Sequence, residues 1–121
     1  DWSAVDEATW ARTQLLYVCS PGNPTGAVMP LAEWEQLFVL SDRHGFVIAS
    51  DECYSEIYFD EANPPLGALQ AAQAAGWDFL GVSWGYAAPA VLQPYSVGPV
   101  ANHPAELQDR LLSSARLLSS K

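Results

Sequence analysis

Basic residues and long apolar runs are both scarce in this chain. Its 121 residues carry 5 Lys and Arg against 14 Asp and Glu, a formal net charge of -9. Such a surface repels phosphate backbones and anionic lipids, so we expect neither nucleic-acid nor membrane partners. No apolar stretch approaches the roughly 18 residues that cross a bilayer. The sequence has no positively charged start followed by an apolar stretch, so we expect no secretory signal.

Cysteine and histidine are also rare. Without a secretory context, Cys19 and Cys53 indicate reduced thiols in a cytoplasmic protein. Neither His44 nor His103 lies at a metal-ligand spacing from the other histidine or from a cysteine, so we expect no zinc site. The hydrophobic share of 50% is that of a folded protein of about one domain. The first residue is Asp1, and we expect the chain to be a fragment.

The first part of the chain predicts an α/β strand–helix–strand unit. The apolar run at 15–19 predicts a strand buried on both faces, and turn-forming residues at 20–26 end it. A helix is predicted from about Leu31 to His44, and a second buried strand at 46–49. The helix signals are Pro30 at the start, Gly45 at the end and an apolar stripe of Trp34, Leu37, Phe38 and Ser41.

Such a unit places its two strands in parallel, with a right-handed crossover between them. Parallel strands end at the same edge of the sheet, where open α/β sheets bind their ligands. Asn23 follows the first strand and Asp51 follows the second. We therefore expect these two side chains to lie near each other.

Two motifs occupy those positions. Ser20-Pro21-Gly22-Asn23-Pro24-Thr25-Gly26 follows the first strand, and Asp51-Glu52-Cys53-Tyr54 follows the second. Together they closely resemble the class I/II aminotransferases, which have the fold type I architecture. Within that family, 10–14 and 51–59 are most similar to the N-succinyldiaminopimelate aminotransferases of lysine biosynthesis. The resemblance covers about residues 1–76, as a partial parallel sheet from the large domain, and leaves 77–121 as a tail without recognisable resemblance.

The resemblance implies pyridoxal 5'-phosphate as cofactor and amino transfer between an amino acid such as glutamate and a 2-oxo acid. It also implies that the parent enzyme, meaning the complete enzyme of which this chain would be a fragment, is a homodimer. Asp51 would hold the ring nitrogen of the cofactor in its protonated form, because a nearby carboxylate stabilises a cation. Asn23 and Tyr54 would donate to the negatively charged phenolic oxygen. The peptide bond between Asn23 and Pro24 is either cis or trans.

Each of these residues also has a structural interpretation. Asp51 could cap a following helix, Asn23 could be a turn residue, and Tyr54 could be a core aromatic. Cys53 is interpreted as buried filler, because no histidine lies near it in sequence. Four acidic residues are interpreted as a solvated face: Glu52, Glu56, Asp60 and Glu61.

The lysine that forms the Schiff base in this family is missing from its expected place. The chain has one lysine, Lys121, which lies too far from Tyr54 for that role. We therefore predict no catalytic residue here and no activity from this chain alone. The motifs serve the cofactor and not the substrate, so a lyase or decarboxylase remains open.

The tail admits two further interpretations. Periodicity is lost from Trp77 onward, until a helix predicted at 105–118. On one interpretation the chain is a truncated product whose tail is read from a shifted frame or joined from unrelated sequence. On the other, the tail is native and the chain is a non-catalytic α/β binding module. In that module, exposed aromatics would form the contact surface: Trp77, Trp84, Tyr86 and Tyr95. A parallel unit this small also predicts marginal stability.

Overall fold

The computed structural model describes residues 1–52, 54, 57–85 and 87–118. The chain divides into two compact units, Asp1–Trp77 and Asp78–Lys121. Four residues interpreted above lie outside the described residues: Cys53, Glu56, Tyr86 and Lys121.

The first unit has a mixed α/β structure around a parallel pair of strands. Strand β1 pairs with β2 from Leu15 opposite Val47 to Cys19 opposite Asp51. This confirms the predicted strand–helix–strand unit. After a 3-10 turn at Trp2–Ala4, the elements are α1 (Glu7–Arg12), β1 (Leu15–Cys19), α2 (Leu31–His44), β2 (Val47–Asp51) and α3 (Ala68–Ala75).

Helix α2 has the bounds that its sequence predicts. It begins after Pro30, whose fixed φ suits a helix start, and ends at Gly45, which adopts the left-handed conformation with φ 75°. The buried residues of the helix are the four of the predicted stripe: Trp34, Leu37, Phe38 and Ser41. Local sequence signals therefore fix both the ends of this helix and the side that it buries.

The strands are less buried than predicted. Val18 is buried, but Leu15 and Tyr17 expose 59% and 64% of their surface, and Val47 exposes 37%. Successive residues of a strand point to opposite faces, and Leu15 is paired with Val47. These three side chains therefore share one face of the sheet. The strands were predicted to be buried on both faces, and for this face the prediction is wrong. A strand of this apolar type is buried only where other elements pack against it. Its own sequence does not determine whether such elements are present.

Aromatic contacts hold the rest of this unit together. Trp10 of α1 stacks on Phe46, with ring centroids 5.4 Å apart. Phe38 of α2 stacks on Trp77 at 4.9 Å. Trp77 is half-buried in this contact, so its predicted exposure is wrong. Its ring is held by the core of the first unit because Gly76 ends α3 with φ 72° and turns the chain there.

The second unit contains helices α4 (Pro89–Leu92) and α5 (Pro104–Leu118). Isolated parallel bridges join Phe79 to Ser96 and Val82 to Ala101. The last helix begins one residue before its predicted start. Trp84 and Tyr95 are exposed, as predicted. No helix within the described ranges is long and apolar enough to cross a membrane.

Candidate functional site

The predicted site residues lie where the parallel strands end. Asn23 is in the loop that follows β1, Asp51 is the last residue of β2, and Tyr54 follows three positions later. The backbone N–H of Ser20 donates to the carbonyl oxygen of Asp51 at 3.2 Å, which ties the start of the loop to the end of β2. The topology thus brings both motifs to one edge of the sheet, as their spacing predicts.

The loop after β1 is tightly folded. Gly22 donates to the Ala27 carbonyl at 2.8 Å and Gly26 donates to the Gly22 carbonyl at 2.7 Å. Gly26 has φ 68°, a conformation that residues with a Cβ rarely adopt. The buried Ser20 hydroxyl accepts from the Met29 backbone at 2.9 Å. These bonds give Asn23 a defined backbone position, and its bond to Pro24 is cis.

Asn23 and Tyr54 are in direct contact. The Asn23 amide nitrogen Nδ2 donates to the Tyr54 hydroxyl oxygen, with 3.1 Å between the two atoms. An amide nitrogen has two protons and a phenol has one of its own. Because Tyr54 accepts here, its proton and the second amide proton are available to a third, electron-rich group. A pair of adjacent donors fits a phenolate oxygen. Asn23 is exposed and Tyr54 is half-buried, so a ligand can reach both.

Asp51 is half-buried at the same edge and is bonded by a residue that lies outside both sequence motifs. The Tyr17 hydroxyl donates to Oδ2 of Asp51. The sequence does indicate that Tyr17 needs a polar partner, because its hydroxyl is the polar tip of a side chain in an otherwise apolar strand. Identifying its partner also requires the strand register, which the sequence does not give.

The acidic residues that follow β2 in the sequence differ in their surroundings. No described helix begins directly after Asp51; the next one, α3, starts at Ala68. The prediction of a solvated Glu52 is wrong, because this half-buried carboxylate accepts from the Ala68 backbone N–H at 2.6 Å. It is drawn in by the N-terminal end of α3, where helix amides have no partners within the helix. Asp60 and Glu61 are exposed as predicted.

The described part of the chain contains no group of three or more His, Cys, Asp or Glu that could hold a metal ion. The three predicted site residues instead supply a carboxylate, at Asp51, and a bonded amide–phenol pair, at Asn23 and Tyr54.

The model of the aminotransferase class I and II family matches residues 1–83. The chain belongs to this family. The match extends somewhat beyond Gly76, where the resemblance was expected to end. Members of the family use pyridoxal phosphate as cofactor.

Relatives and solved structures agree with this assignment. An LL-diaminopimelate aminotransferase of Nitratidesulfovibrio vulgaris is 38% identical over 74 residues, which are 61% of this chain and 19% of that protein. The structure of an aminotransferase from Neisseria meningitidis is 56% identical, with a TM-score of 0.62, over 64% of this chain and 20% of that one. A probable N-succinyldiaminopimelate aminotransferase from Thermus thermophilus is 28% identical, with a TM-score of 0.53, over 58% and 18% of the two chains.

The predicted resemblance and fold are confirmed. The chain spans about a fifth of the length of the relatives that it matches.

Proposed function

We propose that residues 1–76 are a segment of the large, cofactor-binding domain of an aminotransferase, and that Asn23, Asp51 and Tyr54 contact pyridoxal phosphate. The observation that supports this most directly is the Asn23–Tyr54 hydrogen bond of 3.1 Å at the edge where Asp51 ends β2. The bond sets two hydrogen-bond donors side by side at the edge where open α/β sheets bind their ligands.

The donor and acceptor chemistry assigns a part to each side chain. Asp51 is an anion and suits the protonated ring nitrogen of the cofactor, which it would keep charged. Asn23 and Tyr54 are donors and suit the phenolic oxygen. When bound, the cofactor supplies an electron sink for the substrate's reacting bonds. The chain's own groups orient the ring and hold the proton on its nitrogen.

The reaction follows from the family and is proposed for the parent protein. It transfers an amino group between an amino acid such as glutamate and a 2-oxo acid. The names of the diaminopimelate-related aminotransferases above favour a place in lysine biosynthesis. We further propose that the parent is a cytoplasmic homodimer. This chain alone remains inactive, because its one lysine, Lys121, does not lie in the expected motif.

Equilibrium dialysis of the whole chain against pyridoxal phosphate tests the proposal. We expect weak binding by the unaltered chain. The variants Asp51→Asn and Tyr54→Phe should weaken it by about 3- to 10-fold each, the size of one lost hydrogen bond or charge contact. Asp42→Asn removes an exposed carboxylate from α2 and serves as the control for net charge. Equal affinities for Asp51→Asn and Asp42→Asn would contradict the assignment of Asp51.

A further inference from the structure

We propose that Tyr17 is a positioning residue for Asp51, whose carboxylate it orients for a cationic ligand. The inference rests on the proposed contact between Asp51 and the cofactor ring nitrogen. It concerns a residue on β1, outside both sequence motifs.

The strand register makes this contact specific. Cys19 is paired with Asp51, and Tyr17 lies two residues before Cys19, opposite Ala49. Residues two apart on a strand share a face, so the side chains of Tyr17 and Asp51 are on the same side of the sheet. Two residues advance along a strand by about 6.6 Å. A tyrosine ring can bridge that distance along the strand, whereas serine or threonine at position 17 would be too short.

The chemistry of the bond favours one charge state of Asp51. A phenol hydroxyl that donates to a carboxylate forms a charge-assisted hydrogen bond, which is stronger than a bond between neutral groups. Donation to the charged form of an acid favours that form. Fixing Oδ2 also restricts rotation of the Asp51 side chain. Both effects favour binding of a protonated ring nitrogen. The Asp51 side chain is already ordered and partly desolvated, so binding costs less free energy.

The exposure of Tyr17 allows a clean test. Its side chain belongs to the exposed face of the sheet, with 64% of the residue accessible. Tyr17→Phe therefore removes the hydroxyl, keeps the ring, and should disturb the core of the first unit little.

The first measurement uses the ligand-free chain with 13C-labelled tyrosine. We expect the Cζ resonance of Tyr17 to move as the carboxylate of Asp51 is titrated, and to lose this response in Asp51→Asn. Tyr95 in the second unit, which exposes 42% of its surface, is the control resonance. If Tyr17 shows the same pH response with and without Asp51, the proposed bond is absent in solution and the proposal is overturned.

The second measurement is the affinity for pyridoxal phosphate of the variants Tyr17→Phe, Asp51→Asn and the double variant. We expect Tyr17→Phe to weaken binding by about 3- to 10-fold. The double variant should bind no more weakly than Asp51→Asn, because Tyr17 acts through Asp51. Wild-type affinity in Tyr17→Phe beside a clear loss in Asp51→Asn would overturn the positioning role and leave the cofactor contact intact. If the unaltered chain binds no cofactor, the proposed function and this inference both fail.

Discussion

Gly67 lies where a side chain would meet the carboxylate of Glu52. A Cβ built on Gly67 would be 2.2 Å from Oε2 of Glu52, while Oε1 of the same carboxylate accepts from the first backbone N–H of α3. The carboxylate is at the end of a flexible chain, so Gly67→Ala would displace it and remove the cap. Loss of a helix cap costs about 1 kcal/mol. We expect amide hydrogen exchange of Ala71 and Ala72 to become about 5-fold faster.

Two comparisons separate this cause from a general effect of adding a methyl group. Gly67→Ala should have little further effect in a Glu52→Ala background, where the cap is already gone. Gly85→Ala is the matched substitution at an open position, since its Cβ would approach no atom closer than 3.9 Å. Unchanged exchange in α3 of Gly67→Ala would show that Glu52 does not stabilise the helix.

At the scale of single residues, the sequence predicts chemistry better than contacts. That Asn23 and Asp51 reach the same edge of the sheet could be predicted, because two motifs follow two parallel strands. The partner of Tyr17 could not, because it depends on which residue of β2 lies opposite Cys19. The sequence favours a solvated Glu52 because the start of α3, at Ala68, is sixteen residues away and carries no strong cap signal of its own.

Helix α1 allows a prediction of pH dependence at the scale of an element. Asp6 caps this helix and accepts from the Thr9 backbone at 2.7 Å, and this hydrogen bond lowers the pKa of the Asp6 carboxyl below its ordinary value. A lowered pKa in the folded state means that the stabilisation is complete above the unfolded-state pKa, about 3.9. It is lost as the pH falls further, through the folded-state pKa.

The 13Cα shifts of residues 7–12 report the helical content of α1 during an acid titration. We expect them to move toward coil values only below about pH 4 in the unaltered chain. In Asp6→Asn the side chain can still accept but cannot titrate, so the shifts should change less over the same range, by the part that Glu7 in the first turn contributes. A midpoint above the ordinary pKa of aspartate would mean that the cap bond does not lower the acid's pKa.

The elements differ in how far the sequence determines them. Helix α2 is specified locally, by Pro30, Gly45 and an apolar stripe that the structure buries. Strand β1 is specified by composition alone, and its sequence of Leu, Tyr and Val anticipates burial from both sides. Leu15 shows the limit of such a prediction, because it is apolar and yet exposed. An apolar strand sequence indicates that the strand can be buried on both faces, but it does not show whether other elements pack against them.

At the scale of the whole molecule, these exposed positions bear on stability. Leu15, Tyr17 and Val47 leave apolar surface accessible on one sheet face, and each square ångström left in water forgoes about 25 cal/mol. A chain of 121 residues that unfolds as one cooperative unit absorbs about 85 kcal/mol near 60 °C. The division into units Asp1–Trp77 and Asp78–Lys121 leaves each with a small core, and small domains bury a low share of their surface.

We therefore expect differential scanning calorimetry to show a broad transition whose enthalpy is less than half of that cooperative value. The van't Hoff enthalpy should also differ from the calorimetric one, because the two units need not unfold together. Adding pyridoxal phosphate should raise the midpoint only slightly, since weak binding stabilises the folded state in proportion to the logarithm of ligand concentration over Kd. A single sharp peak near about 85 kcal/mol, with matching enthalpies, would mean that the chain forms a complete cooperative core despite its exposed sheet face.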